Sequence, residues 1–347
     1  MPVLITGDHP QTARAIAGDV GILSEDQAQQ PGLVVTGQQM QDGAVEELTI
    51  PRVFARTSPA QKLAIIAAWQ AGGASVAMIG DGVNDGPALR RADVGVAMGH
   101  RGTEVARQAA DLVLADDELA TLVPAVEEGR RVYANIRRFL VFGLSGGTAE
   151  ILVMLVGPFI GLTVPLLAAK ILWINLLTHG LTGVALGAEP AGVDTMSQPP
   201  RPPEQSVLGD GLWQRVLAIA SVLGSVTLGV GIWAHATDRP WRSVIFLSLV
   251  AVQLGVAVGL RPRLLTRANL FLPVAVASSF GLALAGLYLP VLQHLLGTHA
   301  LSVGEAILGV GTALVGWAVA RVSRRLRRRP VVQTQNGSTA DIGTGSR

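Results

Sequence analysis

Three short strings near the start of the chain set carboxylates, a lysine and several glycines at spacings that suit phosphate chemistry. They are Thr6-Gly7-Asp8, Phe54-Ala-Arg-Thr-Ser-Pro-Ala-Gln-Lys62 and Gly80-Asp-Gly-Val-Asn-Asp-Gly-Pro-Ala-Leu89. Asp81 and Asp85 suit a hard cation such as Mg²⁺, which takes a few carboxylate oxygens together with water and phosphate. Gly80 and Gly82 let the backbone turn sharply and a phosphate approach closely. Asn84 and the N-terminus of the following helix offer neutral donors to phosphate oxygens. A bare Gly-Asp-Gly reads as a turn capping a helix, whereas the full string favours metal and phosphate. Lys62 has two readings, a solvated snorkelling group or a phosphate partner. It and Lys170 are the chain's lysines.

A second set of polar residues lies inside apolar sequence. Glu150 follows Gly146-Gly147, Asn175, Thr178 and His179 fall at i, i+3 and i+4, and Gln253 sits within another apolar run. An α-helical period puts Asn175, Thr178 and His179 on one face. Such groups are expensive in hydrocarbon and are functional suspects; the alternative is hydrogen bonding between helices. For Glu150 an ion or proton role is the favoured reading. The turn at Phe159–Pro165 makes the two flanking spans antiparallel neighbours. At about 1.5 Å per residue, Glu150 and His179 then lie at comparable depth and should face each other.

The elements that must position these residues differ in kind along the chain. Val3–Thr6, Arg52–Arg56, Ser75–Ile79, Val94–Met98 and Leu112–Leu114 read as strands, with Ser75–Ile79 buried. Helices fall at Pro10–Val20, from Ser58-Pro59 onward, at Asp85–Ala92 and at Thr103–Ala110. Strands alternating with helices at this spacing mean a parallel sheet with covering helices, and polar chemistry gathers at the carboxyl ends of its strands.

Beyond residue 138 the sequence changes character. The whole chain has 347 residues, 49% hydrophobic and 15% charged, with mean hydropathy +0.44. That is too apolar for an ordinary soluble protein. Runs of about 20 apolar residues give spans at 139–160, 166–187, 212–235, 243–260, 270–290 and 302–321. The expected organisation is therefore a soluble portion at 1–125, a stalk helix at 126–138, a membrane domain at 139–321 and a basic, then polar, disordered tail at 322–347. There is no cysteine, which excludes disulfides and thiolate metal sites. Arginine outnumbers lysine and sits beside the apolar runs, which fits membrane orientation and not nucleic-acid binding. Arg137, Arg138, Arg201, Arg215, Arg261, Arg263, Arg267 and Arg321 to Arg329 mark the cytoplasmic side; Arg239 and Arg242 mark the other, with Lys170 near its boundary. Met196–Glu204 reads as a stiff proline-rich loop. MPVLITGDHP lacks the pattern of a signal peptide and begins directly in a strand.

In order and spacing these residues resemble the P-type ATPases, in particular the calcium/sodium-pump-like type II cation transporters. The motifs that carry the likeness are Thr6–Asp8, Phe54–Lys62 and Gly80–Leu89, continued by Val94–Gly99, Leu114–Asp117 and Glu127–Arg130. The resemblance implies a partial haloacid-dehalogenase-like, Rossmannoid α/β phosphorylation domain followed by an all-α membrane domain of six helices. It implies that Thr6 and Lys62 contact the transferred phosphoryl group, with Gly7, Asp8 and Asn84 in the same catalytic set. Asp81 and Asp85 would serve a Mg²⁺ site, with ATP the substrate of the complete pump. Glu150, Asn175, Thr178, His179 and Gln253 would serve the transported cation. His179 stands where calcium-type pumps carry an aspartate, and Gly147 where they commonly have an asparagine.

The family's phosphorylated aspartate belongs to a DKTGT motif, and neither that motif nor TGE occurs in these 347 residues. The resemblance thus reads the chain as the C-terminal portion of a pump, inactive alone, with a missing N-terminal half and the lipid bilayer as partners. The alternative is a non-catalytic remnant acting as a regulatory or assembly partner. A free-standing dehalogenase-fold phosphatase is disfavoured by the absent nucleophile. The Arg- and Ala/Gly-rich bias points to a GC-rich bacterial genome and a plasma-membrane location.

Overall fold

The computed structural model describes residues 1–192, 195–202, 205–262 and 268–327. Two compact units are present, Met1–Gly129 with Asp194–Ser206, and Arg130–Val193 with Val207–Arg347. Arg263, Arg267, Glu204 and the tail from 328 onward lie outside the described residues.

In the first unit the strands are β1 (Leu4–Ile5), β2 (Val34–Thr36), β3 (Val53–Ala55), β4 (Ala77–Gly80), β5 (Val94–Met98) and β6 (Leu112–Leu114). All pairings are parallel, but they form two three-stranded sheets, in orders β1-β3-β2 and β4-β5-β6. Ile5 registers with Phe54, and Gly80 with Ala97. Both β1 and β4, the strands that end in the two aspartate motifs, are therefore edge strands. Ser75–Ile79, expected to be buried throughout, starts as a strand at Ala77, which is exposed, while Met78 beside it is buried. An uncovered edge accounts for that difference. β2 was not legible in the sequence.

The helices of this unit are α1 (Pro10–Asp19), α2 (Glu25–Ala28), α3 (Gly37–Gln41), α4 (Pro59–Ala71), α5 (Gly86–Arg91) and α6 (Glu104–Ala109). Helix α4 starts where it does because Ser58 caps it, Pro59 fills its first position and Gln61 reaches back to the Ser58 N–H. Its Ile65 and Ile66 are buried, as is all of β3. Burying a side chain the size of Phe54 is worth about 1.5–3 kcal/mol. The expected helix Asp85–Ala92 begins instead with a 3₁₀ turn, Val83–Asp85, that runs into α5.

The second unit is helical. Helix α7 (Leu122–Val156) is followed by α8 (Ala168–Trp173), a π-helical segment Ile174–His179, and α9 (Gly180–Gly187). Then come α10 (Leu212–Ala236), α11 (Trp241–Leu260), α12 (Phe271–Tyr288), α13 (Pro290–Leu296) and α14 (Val303–Arg327). Among the described residues, six helical stretches are long and apolar enough to cross a membrane: Leu119–Ile160, Ala168–Gly187, Leu212–Ala236, Trp241–Leu260, Phe271–Tyr288 and Val303–Leu326. The stalk and the first span are one uninterrupted helix, because nothing between Leu122 and Val156 breaks the hydrogen-bond ladder. Helix α14 likewise runs to Arg327, past the expected start of the tail.

Helix α11 is the centre of this unit, buried along almost its whole length. A Cβ at Gly255 would run into the Ala313 carbonyl, and one at Gly316 into that of Val252. Small residues thus bring α11 and α14 into backbone contact, the way helices associate where lipid removes the hydrophobic drive. The helix ends sort into two sides. Arg215 Nε donates to Ser323 Oγ at 2.5 Å on one. On the other, Arg239 pairs with Glu305 at 3.0 Å and Arg242 donates to Thr163 O at 3.0 Å.

Candidate functional site

Thr6, Gly7 and Asp8 follow β1 directly. Thr6 Oγ1 donates to Asp8 Oδ2 at 2.9 Å, and the Asp8 N–H donates back to Thr6 Oγ1 at 3.1 Å. The Thr57 and Arg56 N–H groups donate to Thr6 O and Asp8 O, each at 3.2 Å. These bonds clasp the loops after β1 and β3 to each other. Arg56 has φ 51 there, in the left-handed region that costs a non-glycine residue energy.

Lys62 lies in the first turn of α4. Its Nζ is 2.6 Å from Asp85 Oδ1, and the two side chains are only 15% and 12% exposed. The second oxygen, Asp85 Oδ2, accepts the Gly82 N–H at 3.3 Å. A Cβ at Gly80 would stand 2.7 Å from the Asp85 Cβ, so glycine at the end of β4 is what lets Asp85 turn inward. Asp85, expected beside Asp81 as a metal ligand, thus meets protein donors with both oxygens. Asp81 and Asn84 are exposed, and the Asp81 carbonyl is fixed by the Thr103 N–H at 2.8 Å. Thr6–Asp8 and Lys62–Asp85 are each brought together; Asp81 and Asn84 make no side-chain hydrogen bond among the described residues.

The membrane residues converge around Glu150, which is 4% exposed. Glu150 Oε2 accepts Asn175 Nδ2 at 2.9 Å, and Oε1 accepts Gln253 Nε2 at 3.2 Å. Asn175 Oδ1 lies 2.9 Å from His179 Nδ1. Asn175 therefore stands between Glu150 and His179, where the sequence suggested that those two would face each other directly. The π-helical stretch explains the other departure from the expected single face. Its wider turn leaves Asn175 exposed while Thr178 and His179 are buried. Thr178 makes no hydrogen bond to the other four among the described residues. Phe142 meets the His179 ring edge-on at 5.1 Å.

Two further polar positions escaped sequence reasoning. Glu189, fully buried at the end of α9, accepts Arg261 Nε at 3.1 Å and Asn269 Nδ2 at 2.8 Å on its Oε1. Its backbone carbonyl accepts Arg131 at 3.0 Å and Asn135 at 2.8 Å. Arg261, read as a loop charge that sets orientation, is thus a buried ion-pair partner. Lys170, read as a boundary charge, is also fully buried, and no hydrogen bond reaches its Nζ. A charge adjacent to an apolar run was the signal in both cases; its burial depends on partners far away in sequence.

Residues 163–326 match the family model described as "Cation transporting ATPase, C-terminus", and residues 2–93 match that of the haloacid dehalogenase-like hydrolases. The chain is 38% identical over 326 residues to a calcium-transporting ATPase of Bacillus subtilis, covering 90% of this chain and 36% of that protein. It is 46% identical over 224 residues to a probable cation-transporting ATPase F of Mycobacterium bovis, covering 63% of this chain and 25% of that protein. A calcium-transporting ATPase 1 of Yarrowia lipolytica is 37% identical over 323 residues, 88% of this chain and 34% of that protein. The chain spans about a third or less of the length of these curated relatives.

Proposed function

We propose, for a chain that carries the C-terminal portion of a P-type ATPase, that it supplies half of the phosphoryl-handling site and part of the cation path of an ATP-driven cation pump in a bacterial plasma membrane. The observation that carries this reading is the buried carboxylate of Glu150, hydrogen-bonded by amides from two other helices inside a unit of membrane-crossing length. An interior carboxylate with polar company is what a cation path through hydrocarbon requires.

In the first unit, Lys62 donates to phosphoryl oxygens with its direction fixed by Asp85, and Thr6 would do so by turning its one hydroxyl proton from Asp8 Oδ2 to the phosphoryl group. The Asp8 N–H, which donates to Thr6 Oγ1, keeps that hydroxyl in place, Gly7 keeps the turn between them narrow, and Asn84 adds a neutral donor beside Asp85. The donor set fits Mg²⁺, which takes one or two carboxylates with water and phosphate oxygens, and Asp81 is the exposed carboxylate that would hold it. When bound, that ion would offset the charge of the transferring phosphoryl group.

These 347 residues contain no DKTGT aspartate; the proposed cycle needs a segment bearing that aspartate, with nucleotide-binding and actuator domains, as the partner of these residues. Co-expression with such a partner, followed by cation-dependent labelling from ATP, tests the reading. A second reading is a non-catalytic membrane partner. It predicts co-purification with an intact pump and no labelling in the complemented system.

A further inference from the structure

We infer that Glu150, His179 and Gln253 form a cargo site for an imidazole-preferring divalent cation of the first transition row, the class of Co²⁺ and Zn²⁺, and not for calcium. This rests on the pump reading above and names the substrate class of that same site. Asn175 Nδ2 donates to Glu150 Oε2 and, at 3.0 Å, to the Ile171 carbonyl. Both partners accept, so the amide is oriented with Oδ1 towards His179 Nδ1. An amide oxygen only accepts, so Nδ1 carries the ring proton and Nε2 presents its lone pair. The Nδ1–H bond to a fixed oxygen is the outer contact that orients metal-bound histidines.

His179 Nε2 is buried and has no hydrogen-bond partner, and the same holds for Gln253 Oε1. Both are acceptors, beside a carboxylate, and no donor answers them. A Cβ at Gly146 would touch His179 Nε2 and would lie 3.3 Å from Gln253 Nε2, so glycine there lets both side-chain ends approach the same stretch of α7 backbone. Acceptors gathered without a donor suit a cation. No three His, Asp, Glu or Cys side chains gather at one point among the described residues; the set here is one imidazole, one carboxylate and one amide oxygen. Calcium takes about 6–8 oxygens, whereas imidazole with few oxygens suits the first transition row.

The test is titration of the full, untagged chain in nanodiscs with Co²⁺, followed by its visible absorption, against excess Ca²⁺. We expect a saturable site that Ca²⁺ does not displace and that His179→Ala and Gln253→Leu each weaken by roughly tenfold or more. Gly146→Ala keeps every donor but displaces the His179 ring, and it should abolish Co²⁺ binding in a chain that still unfolds cooperatively. Unaltered Co²⁺ affinity in folded His179→Ala, or displacement by Ca²⁺, overturns the inference. In the complemented pump, turnover stimulated by Ca²⁺ and not by Co²⁺ overturns the inference and leaves the pump reading standing. Co²⁺ binding without stimulation by any cation overturns the pump reading and, with it, the role of the site as a cargo site.

Discussion

The Lys62 ammonium and the Asp85 carboxylate lie 2.6 Å apart, joining the first turn of α4 to the loop after β4. Breaking a largely buried pair strands one charge, at a cost of roughly 3–5 kcal/mol. Lys62→Met and Asp85→Leu should therefore each lower hydrogen-exchange protection across β4 and α5. The double variant should recover much of it, because two apolar side chains leave no orphan charge. Additive losses would show that the pair is incidental.

Asp81 and Asp85 should separate cleanly in a complemented pump. Asp81 is exposed and unpaired among the described residues, so Asp81→Asn is expected to leave stability unchanged and to raise the Mg²⁺ concentration needed for half-maximal phosphoenzyme. Asp85→Asn is expected to lower stability first. The thermal melt and the Mg²⁺ dependence, measured on both variants, read the two effects apart. Equal Mg²⁺ curves for wild type and Asp81→Asn would remove Asp81 from metal handling.

Glu189 and Arg261 make a second buried pair, 3.1 Å apart, with 0% and 7% of their side chains exposed. Glu189→Ala removes the buried counter-charge of the guanidinium and should destabilise the helical unit, by up to roughly 3–5 kcal/mol. Glu189→Gln keeps an acceptor for Asn269 and should cost less. Unfolding in mixed micelles distinguishes the two variants. Equal stability would mean that Arg261 is satisfied by its other contacts.

Topology can be read with thiol reagents, since the chain has no cysteine. Cysteines placed singly at Ser323 and Thr237 should be labelled from opposite faces of a sealed vesicle. Labelling of both from one face would contradict the arrangement of helix ends.

The contacts of Thr6 with Asp8 and the candidate carboxylate Glu150 were legible because they depend on residue type and local spacing. Gly80 and Asp85, five apart, fix their contact within one turn. Each of the six apolar runs falls on a long apolar helix among the described residues, although the first of these helices begins well before its run, at Leu122. What stayed hidden depends on distant partners or on a non-α backbone. Arg261 and Glu189 are 72 positions apart, and neither announces the other. Asn175 was placed on a helical face, but a period of 3.6 does not describe the π-helical turn that sets it between Glu150 and His179. Arg56 gave no sign of a left-handed backbone, which here comes from the clasp with Asp8.

The central claim is that these residues contribute to a cation-driven phosphorylation cycle that a DKTGT aspartate completes. The most direct measurement is acid-stable labelling from ATP in membranes containing this chain and a DKTGT-bearing partner. The account predicts no label on this chain alone, a label on the partner that requires both polypeptides and a transported cation, and its loss with Glu150→Gln. A label on the partner that appears without this chain, or that ignores both the cation and Glu150, would contradict it.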